Sequence, residues 1–125
     1  MHKILIAEDD RKFSAVLKDD LEDEGYAVDL CEDGVEAVLN FIAHGKDYDF
    51  VLLDIKMPKL DGINALKIIK RLNPKVPAIT FSGNAGSGEM AESVKVGAIR
   101  CLTKPFELND LKEEIKKYIL RHCGV

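Results

Sequence analysis

Four stretches of this 125-residue chain place reactive side chains directly after apolar runs. "KILIAEDD" ends in Glu8, Asp9 and Asp10, "VLLD" in Asp54, "AITFS" in Ser82 and "CLTK" in Lys104. Neighbouring carboxylates repel, and a partly buried one is costly unless something pairs with it. Taken alone, Glu8–Asp10 read as solvated acids at a helix start, where negative charge suits the helix dipole. Ser82–Gly83 alone is a turn signal, and a lone lysine ordinarily sits on the surface. Three carboxylates, a hydroxyl and an ammonium at one place instead suit a hard cation and an anion. Mg²⁺ prefers oxygen ligands and takes one or two carboxylates plus phosphate oxygens. Asp9, helped by Glu8, is expected to hold it beside Asp54, with Asp10 turned away to begin a helix. A carboxylate can itself act as a nucleophile and form an aspartyl-phosphate. Such a transfer needs chiefly positioning and neutralised oxygens. Mg²⁺ takes one phosphoryl oxygen, Lys104 a second, and the Ser82 hydroxyl with nearby backbone N–H groups the third.

The elements that must bring these residues together follow from periodicity. Short apolar runs at residues 4–7, 26–31, 50–53, 77–82 and 99–102 read as strands. Between them run helical patterns: Phe13, Val16, Leu17 and Leu21, stopped at Gly25; Val35, Val38, Leu39 and Ile42; Ile63, Leu66 and Ile69, ended before Pro74; a weaker helix over residues 87–97. Leu108, Leu111, Ile115 and Ile119 mark the last. The order βαβαβαβαβα implies a parallel sheet with helices on both faces and right-handed crossovers. In such sheets ligands bind beyond the carboxyl ends of the strands. Every reactive residue named above lies at such an end, so all are expected on one rim.

Composition sets the outer bounds. At 46% hydrophobic and 32% charged residues, the chain is of globular type and fits one domain. A net charge of −4, without a run of bases or aromatic-basic alternation, argues against direct nucleic-acid binding. The longest apolar runs, about four residues, are far short of a membrane span, and no signal segment is seen, so the cytoplasm is expected. Cys31, Cys101 and Cys123 form no Cys-x-x-Cys pair and read as reduced packing residues, with Cys123 exposed. His2, His44 and His122 have no metal-ligand spacing.

"ILIAEDD", "VLLDIKMPKLDG", "AITFSG" and "CLTKPF", in this order, resemble the four signature stretches of the response-regulator receiver domain. The separations also fit: 45 residues from Asp9 to Asp54, 28 from Asp54 to Ser82 and 22 from Ser82 to Lys104. The resemblance covers essentially the whole chain, which is expected to be one receiver unit over residues 1–125 with no second domain in it, either a single-domain regulator or the receiver cut from a larger transcription factor. It implies a flavodoxin-like, doubly wound (βα)5 fold with a five-stranded parallel sheet in order 2-1-3-4-5. It implies a sensor histidine kinase as donor and Asp54 as acceptor, in a reaction that the receiver itself catalyses with Mg²⁺, or with Mn²⁺ in its place. Asp9, Asp54 and the backbone carbonyl of Lys56 then hold the metal, Glu8 acts through water, and Ser82 and Lys104 grip the phosphoryl group. Lys56 and Asn84 occupy the positions that tune phosphate lifetime, and the Lys104–Pro105 bond is expected to be cis. Output is expected through the surface of the fourth helix, fifth strand and fifth helix, onto a downstream protein or output domain, from a monomer that can dimerise when phosphorylated.

One departure is plain. Three residues before the lysine the family usually carries Tyr or Phe as a switch; here it is Cys101. A thiol supplies neither the ring packing nor a phenol hydroxyl, so phosphorylation is expected to survive while the output switch is altered. Other classes fit less well. A haloacid-dehalogenase-type phosphatase needs a second Asp two residues after the first, where this chain has Lys56. A flavodoxin-like electron carrier needs a Ser/Thr-rich phosphate loop after strand one, where Glu8–Asp10 instead repel a flavin phosphate. A receiver relic that binds partners without phosphorylation does not need the complete set of acids, serine and lysine.

Overall fold

In the computed structural model the described residues are 1–83 and 86–122, with residues 87, 121 and 122 described as backbone only. Expectations for Asn84 and Cys123 therefore lie outside the described residues. Five strands alternate with five helices: β1 Lys3–Ala7, α1 Arg11–Asp23, β2 Ala27–Cys31, α2 Gly34–His44, β3 Phe50–Asp54, α3 Gly62–Leu72, β4 Ala78–Ser82, α4 Ser87–Lys95, β5 Arg100–Thr103 and α5 Leu108–His122. A single 3-10 turn, Gly45–Asp47, leads from α2 toward β3. All pairings are parallel, and the strand order is β2-β1-β3-β4-β5, as the resemblance implied.

Strand alternation divides the core in two. Ile4, Ile6, Phe50, Leu52, Ile79 and Phe81 face one way, against Leu17 and Leu21 of α1 and Leu111, Ile115 and Ile119 of α5. Leu5, Ala7, Val51, Leu53 and Ala78 face the other way, against Ala37 and Phe41 of α2 and Leu66 and Ile69 of α3. β3 and β4 are buried along their whole length, as central strands covered on both faces must be. Asp10, Asp33 and Asp61 cap α1, α2 and α3 by accepting backbone N–H groups of the first turn.

The expected face of α2 is wrong. Val35, Leu39 and Ile42 are exposed, and the helix buries Gly34, Ala37 and Phe41 instead. The cause is Gly34: a Cβ there would lie 2.0 Å from the carbonyl oxygen of Leu60, so this side of the helix must face the β3–α3 loop. In α1, Val16 is likewise 54% exposed although it fits the helical period. α4 ends at Lys95, two residues short of Gly97, whose φ of +127° closes the turn into β5.

Candidate functional site at the carboxyl ends of the strands

β2 is added on one side of β1 and β3 on the other, so the order of succession switches there and the carboxyl ends of β1 and β3 lie next to each other at the switch. Glu8 follows β1 and is buried; Asp9 beside it is exposed; Asp54, the last residue of β3, is buried. One carboxylate oxygen from each of the three lies within 4.8 Å of the others. Asp10 stands apart, accepting from the backbone N–H groups of Lys12 at 3.1 Å and Phe13 at 3.2 Å, the helix-start role expected of it. Its own N–H donates to Glu8 Oε2 at 3.1 Å, while the Glu8 N–H donates to the Cys31 carbonyl at 3.0 Å.

Lys104 enters from the far side of the rim. Its backbone N–H donates to the carbonyl of Ser82 at 2.9 Å, which ties the loop after β5 to the end of β4. The Lys104–Pro105 bond is cis, as expected. The Lys104 ammonium donates to Glu8 Oε1 and lies 3.5 Å from Asp54 Oδ2. It also stands over the rings of Phe13, 4.6 Å from the centroid, and Phe81, at 5.6 Å. Phe13 reads from the sequence only as a core residue of α1; nothing but the fold shows it under the lysine.

The electrostatics agree with a cation site. Burial, then the hydrogen bond shared with Asp54, pushes the Glu8 carboxyl above its usual range, against the pull of Lys104. Burial and the neighbouring Glu8 push Asp9 up as well. For Lys104, burial works against the charge, but Glu8 and Asp54 outweigh it and hold the ammonium more firmly protonated. One lysine thus faces three crowded acids, and a further cation would relieve them. The donors are all oxygen and anionic, which suits a hard ion such as Mg²⁺.

The remaining expected residues fall around this centre. Ser82 is buried at the end of β4. Lys56 is exposed in the loop that follows Asp54. Cys101 is half-buried on the edge strand β5, across from Thr80 in register, on the sheet face opposite Phe81 and Leu102. Cys31 and Cys101 lie on the opposite edge strands β2 and β5. A polar pair the sequence did not disclose sits beside Cys101: Thr80 Oγ1 and Ser93 Oγ, both fully buried, lie 2.9 Å apart and fasten α4 to β4. Only its placement under α4 marks Thr80 as more than a strand residue.

A doubly wound, flavodoxin-like α/β domain with an acidic, cation-competent rim is the class that this fold and site define. Residues 4–116 match the family of the response regulator receiver domain, and the chain belongs to that family. It is 30% identical over 122 residues to the transcriptional regulatory protein TctD of Salmonella typhimurium, covering 98% of this chain and 54% of that protein. It is 34% identical over 124 residues to the CpxR homolog of Haemophilus influenzae, covering 99% of this chain and 53% of that protein. The chain thus spans about half the length of these relatives. A receiver domain protein of Clostridium thermocellum superposes with a TM-score of 0.91 at 30% identity, covering 97% of this chain and 96% of that one. A CheY of Borrelia burgdorferi, solved with CheX, BeF3 and Mg²⁺, gives 0.88 at 27% identity, covering 95% and 90%. The family serves two-component signalling, is regulatory and phosphoaccepting, and typically binds Mg²⁺. Among the described residues no helix is long and apolar enough to cross a membrane.

Proposed function

We propose that Asp54 accepts a phosphoryl group from the phosphohistidine of a sensor histidine kinase, and that the receiver itself catalyses both this transfer and the later hydrolysis. The observation that carries the reading is the convergence of Glu8, Asp9 and Asp54 within 4.8 Å, with the Lys104 ammonium against two of them. An Asp54 carboxylate oxygen forms the new P–O bond as the P–N bond to histidine breaks. The bonding pair leaves with the imidazole nitrogen, and the carboxylate becomes an acyl phosphate. Asp9, Asp54 and the Lys56 carbonyl would hold Mg²⁺, or Mn²⁺, with Glu8 acting through water. The metal, when bound, neutralises phosphoryl oxygens. Lys104 turns from Glu8 to a second oxygen, and the Ser82 hydroxyl donates to the third. The solved CheY carrying BeF3 and Mg²⁺ together supports the pairing of metal and anion at such a site.

Residues 1–125 act in this reading as one cytoplasmic receiver unit. It signals through the face of α4, β5 and α5 to a partner protein or a linked output domain, with dimerisation on phosphorylation. Cys101 offers that face no ring, so movement of α4 depends more on the Thr80–Ser93 pair beside it.

Intact mass after incubation with acetyl phosphate, with and without Mg²⁺, tests the chemistry. Wild type gains one phosphoryl group only with the metal, and Asp54→Asn gains none. Uptake by Asp54→Asn, or by neither protein, refutes the assignment. Lys56 gives a finer expectation. Its exposed ammonium covers the phosphoryl group against water, so Lys56→Ala loses the group roughly fivefold faster, the equivalent of about 1 kcal/mol of barrier. Decay no faster than wild type removes that role.

A further inference from the structure

We propose that the crevice between α2 and α3 docks an acidic amphipathic helix of a partner protein, a surface separate from the rim and from the α4–β5–α5 face. Two helices leave apolar flanks open side by side. α2 exposes Val35, Leu39 and Ile42 at i, i+4 and i+7, with Leu39 and Ile42 59% and 61% exposed. α3 exposes Ile68 and Leu72 at i and i+4. The inward sides of the helices are already fixed by Gly34, Ala37 and Phe41 on α2 and by Ile63, Leu66 and Ile69 on α3. These five residues therefore cannot turn into the core. Ile42 and Leu72 line one cavity of about 560 Å³ where the two helices end, together with His44, Lys46 and Asn73. By contrast, Val94 and Leu120 are the exposed large apolar residues described on α4 and α5.

Charge selects the occupant. Residues 1–54 carry five lysines and arginines against fifteen acids, whereas residues 55–75 carry six against one, Asp61. The bases are spaced too widely to read as a cluster in sequence; α3 and its flanking loops gather them. Lys59 and Lys67 are used within the fold, by Asp33 and Glu92. Arg71, next to Leu72, is exposed, as are Lys46 and Lys75, and none of the three forms an ion pair among the described residues. Two acids lie at this end: Asp47, which also lines the cavity, and Asp49, which shares a neighbouring cavity with Lys75 and is engaged by the His2 ring and the Lys3 N–H. An apolar crevice with surplus positive charge at one end fits a helix with apolar residues at i, i+3 or i+4 and i+7, and Asp or Glu on its flank. The exposed run along α2 is about 10 Å, so two to three turns of such a helix suffice. The same face of a second copy would bring like charge to Arg71, Lys46 and Lys75, which disfavours a symmetric pairing.

The test uses two synthetic helical peptides of about five turns, identical in their leucine stripe and differing only in Glu or Lys at the flanks. Binding to the whole chain is followed by fluorescence anisotropy and by backbone amide shifts. The Glu peptide is expected to bind at least tenfold tighter than the Lys peptide, with shifts confined to α2, α3 and the Gly45–Asp47 turn. Ile42→Asp removes this binding, and Arg71→Glu abolishes the preference for the Glu peptide. Both positions are exposed, and unchanged phosphoryl uptake and circular dichroism show that the variants are folded. Equal binding of both peptides, shifts elsewhere, or binding unaffected by Ile42→Asp overturns the proposal. A dimer in sedimentation equilibrium that is lost in Ile42→Asp also overturns it, by giving the crevice to a second copy.

Discussion

Replacing Lys104 by methionine lowers the stability of the metal-free protein by about 2–4 kcal/mol at neutral pH, and the deficit shrinks in acid. Methionine keeps an apolar stem of similar length and removes the ammonium, with its hydrogen bonds and its seat over the Phe13 and Phe81 rings. What is left behind is the cost. Glu8 and Asp54 are buried, and Lys104 is the cation that faces both. Removing one partner of a buried pair leaves the other charge without compensation, which costs far more than the intact pair is worth. Glu8 already holds its proton more tightly in the folded protein than a free carboxyl does, because burial and Asp54 outweigh the lysine. Without Lys104 that shift grows. A carboxyl raised on folding favours the folded state most below its unfolded pKa, roughly 4.3, and loses that advantage as pH rises through the folded value. Urea melts of Lys104→Met should therefore lie closer to wild type at about pH 5 than at about pH 7.5. Glu8→Gln in the same background should recover most of the loss, and Mg²⁺ part of it, since either reduces the uncompensated charge. A variant as stable as wild type at both pH values, with no response to Mg²⁺, means that Lys104 does not hold the acids in solution.

The rim was legible because its residues announce themselves twice. Each is chemically out of place after an apolar run, and each stands at a strand end once the alternation of elements is read. Topology then brings together what lies 45, 28 and 22 residues apart. The face of α2 was not legible for an equally specific reason. Its apolar residues occupy more than half of the helical circumference, so periodicity alone selects no arc. Close approach of Gly34 to the Leu60 carbonyl selects it, and the small residues Gly34 and Ala37, in step with Phe41, were the available sign. The Thr80–Ser93 pair was hidden differently. Two hydroxyls thirteen residues apart carry no pattern, and only the seating of α4 on β4 makes them partners. Polar groups buried in this way are satisfied by tertiary contacts, which local sequence does not encode.

Gly62→Ala is expected to cost about 2–4 kcal/mol and to impair phosphoryl uptake, although the residue carries no side chain and never touches a ligand. Gly62 opens α3 directly after its cap Asp61, and its N–H donates to the Ile55 carbonyl at 2.8 Å. A Cβ there would lie 2.1 Å from the carbonyl oxygen of Asp54 and 2.9 Å from Cα of Ile55. Both neighbours are backbone, so no rotamer change can make room. Either α3 withdraws from the sheet, opening the packing of Ile63 and Leu66, or the β3 end shifts and carries Asp54 with it. The first shows as lost stability and the second as lost geometry at the acceptor, where the three carboxylates must stay close enough to share a cation. Gly88→Ala supplies the contrast. It lies within α4 with nothing within 4 Å of the added Cβ, so the helix gains propensity without a clash, and stability should rise by roughly 0.5–1 kcal/mol. Urea midpoints of the two variants should thus move in opposite directions from wild type, and only Gly62→Ala should slow metal-dependent uptake from acetyl phosphate. If Gly62→Ala melts and reacts like wild type, the β3–α3 junction is soft, and the placement of Asp54 must come from the sheet register with Phe81 rather than from the helix docked behind it.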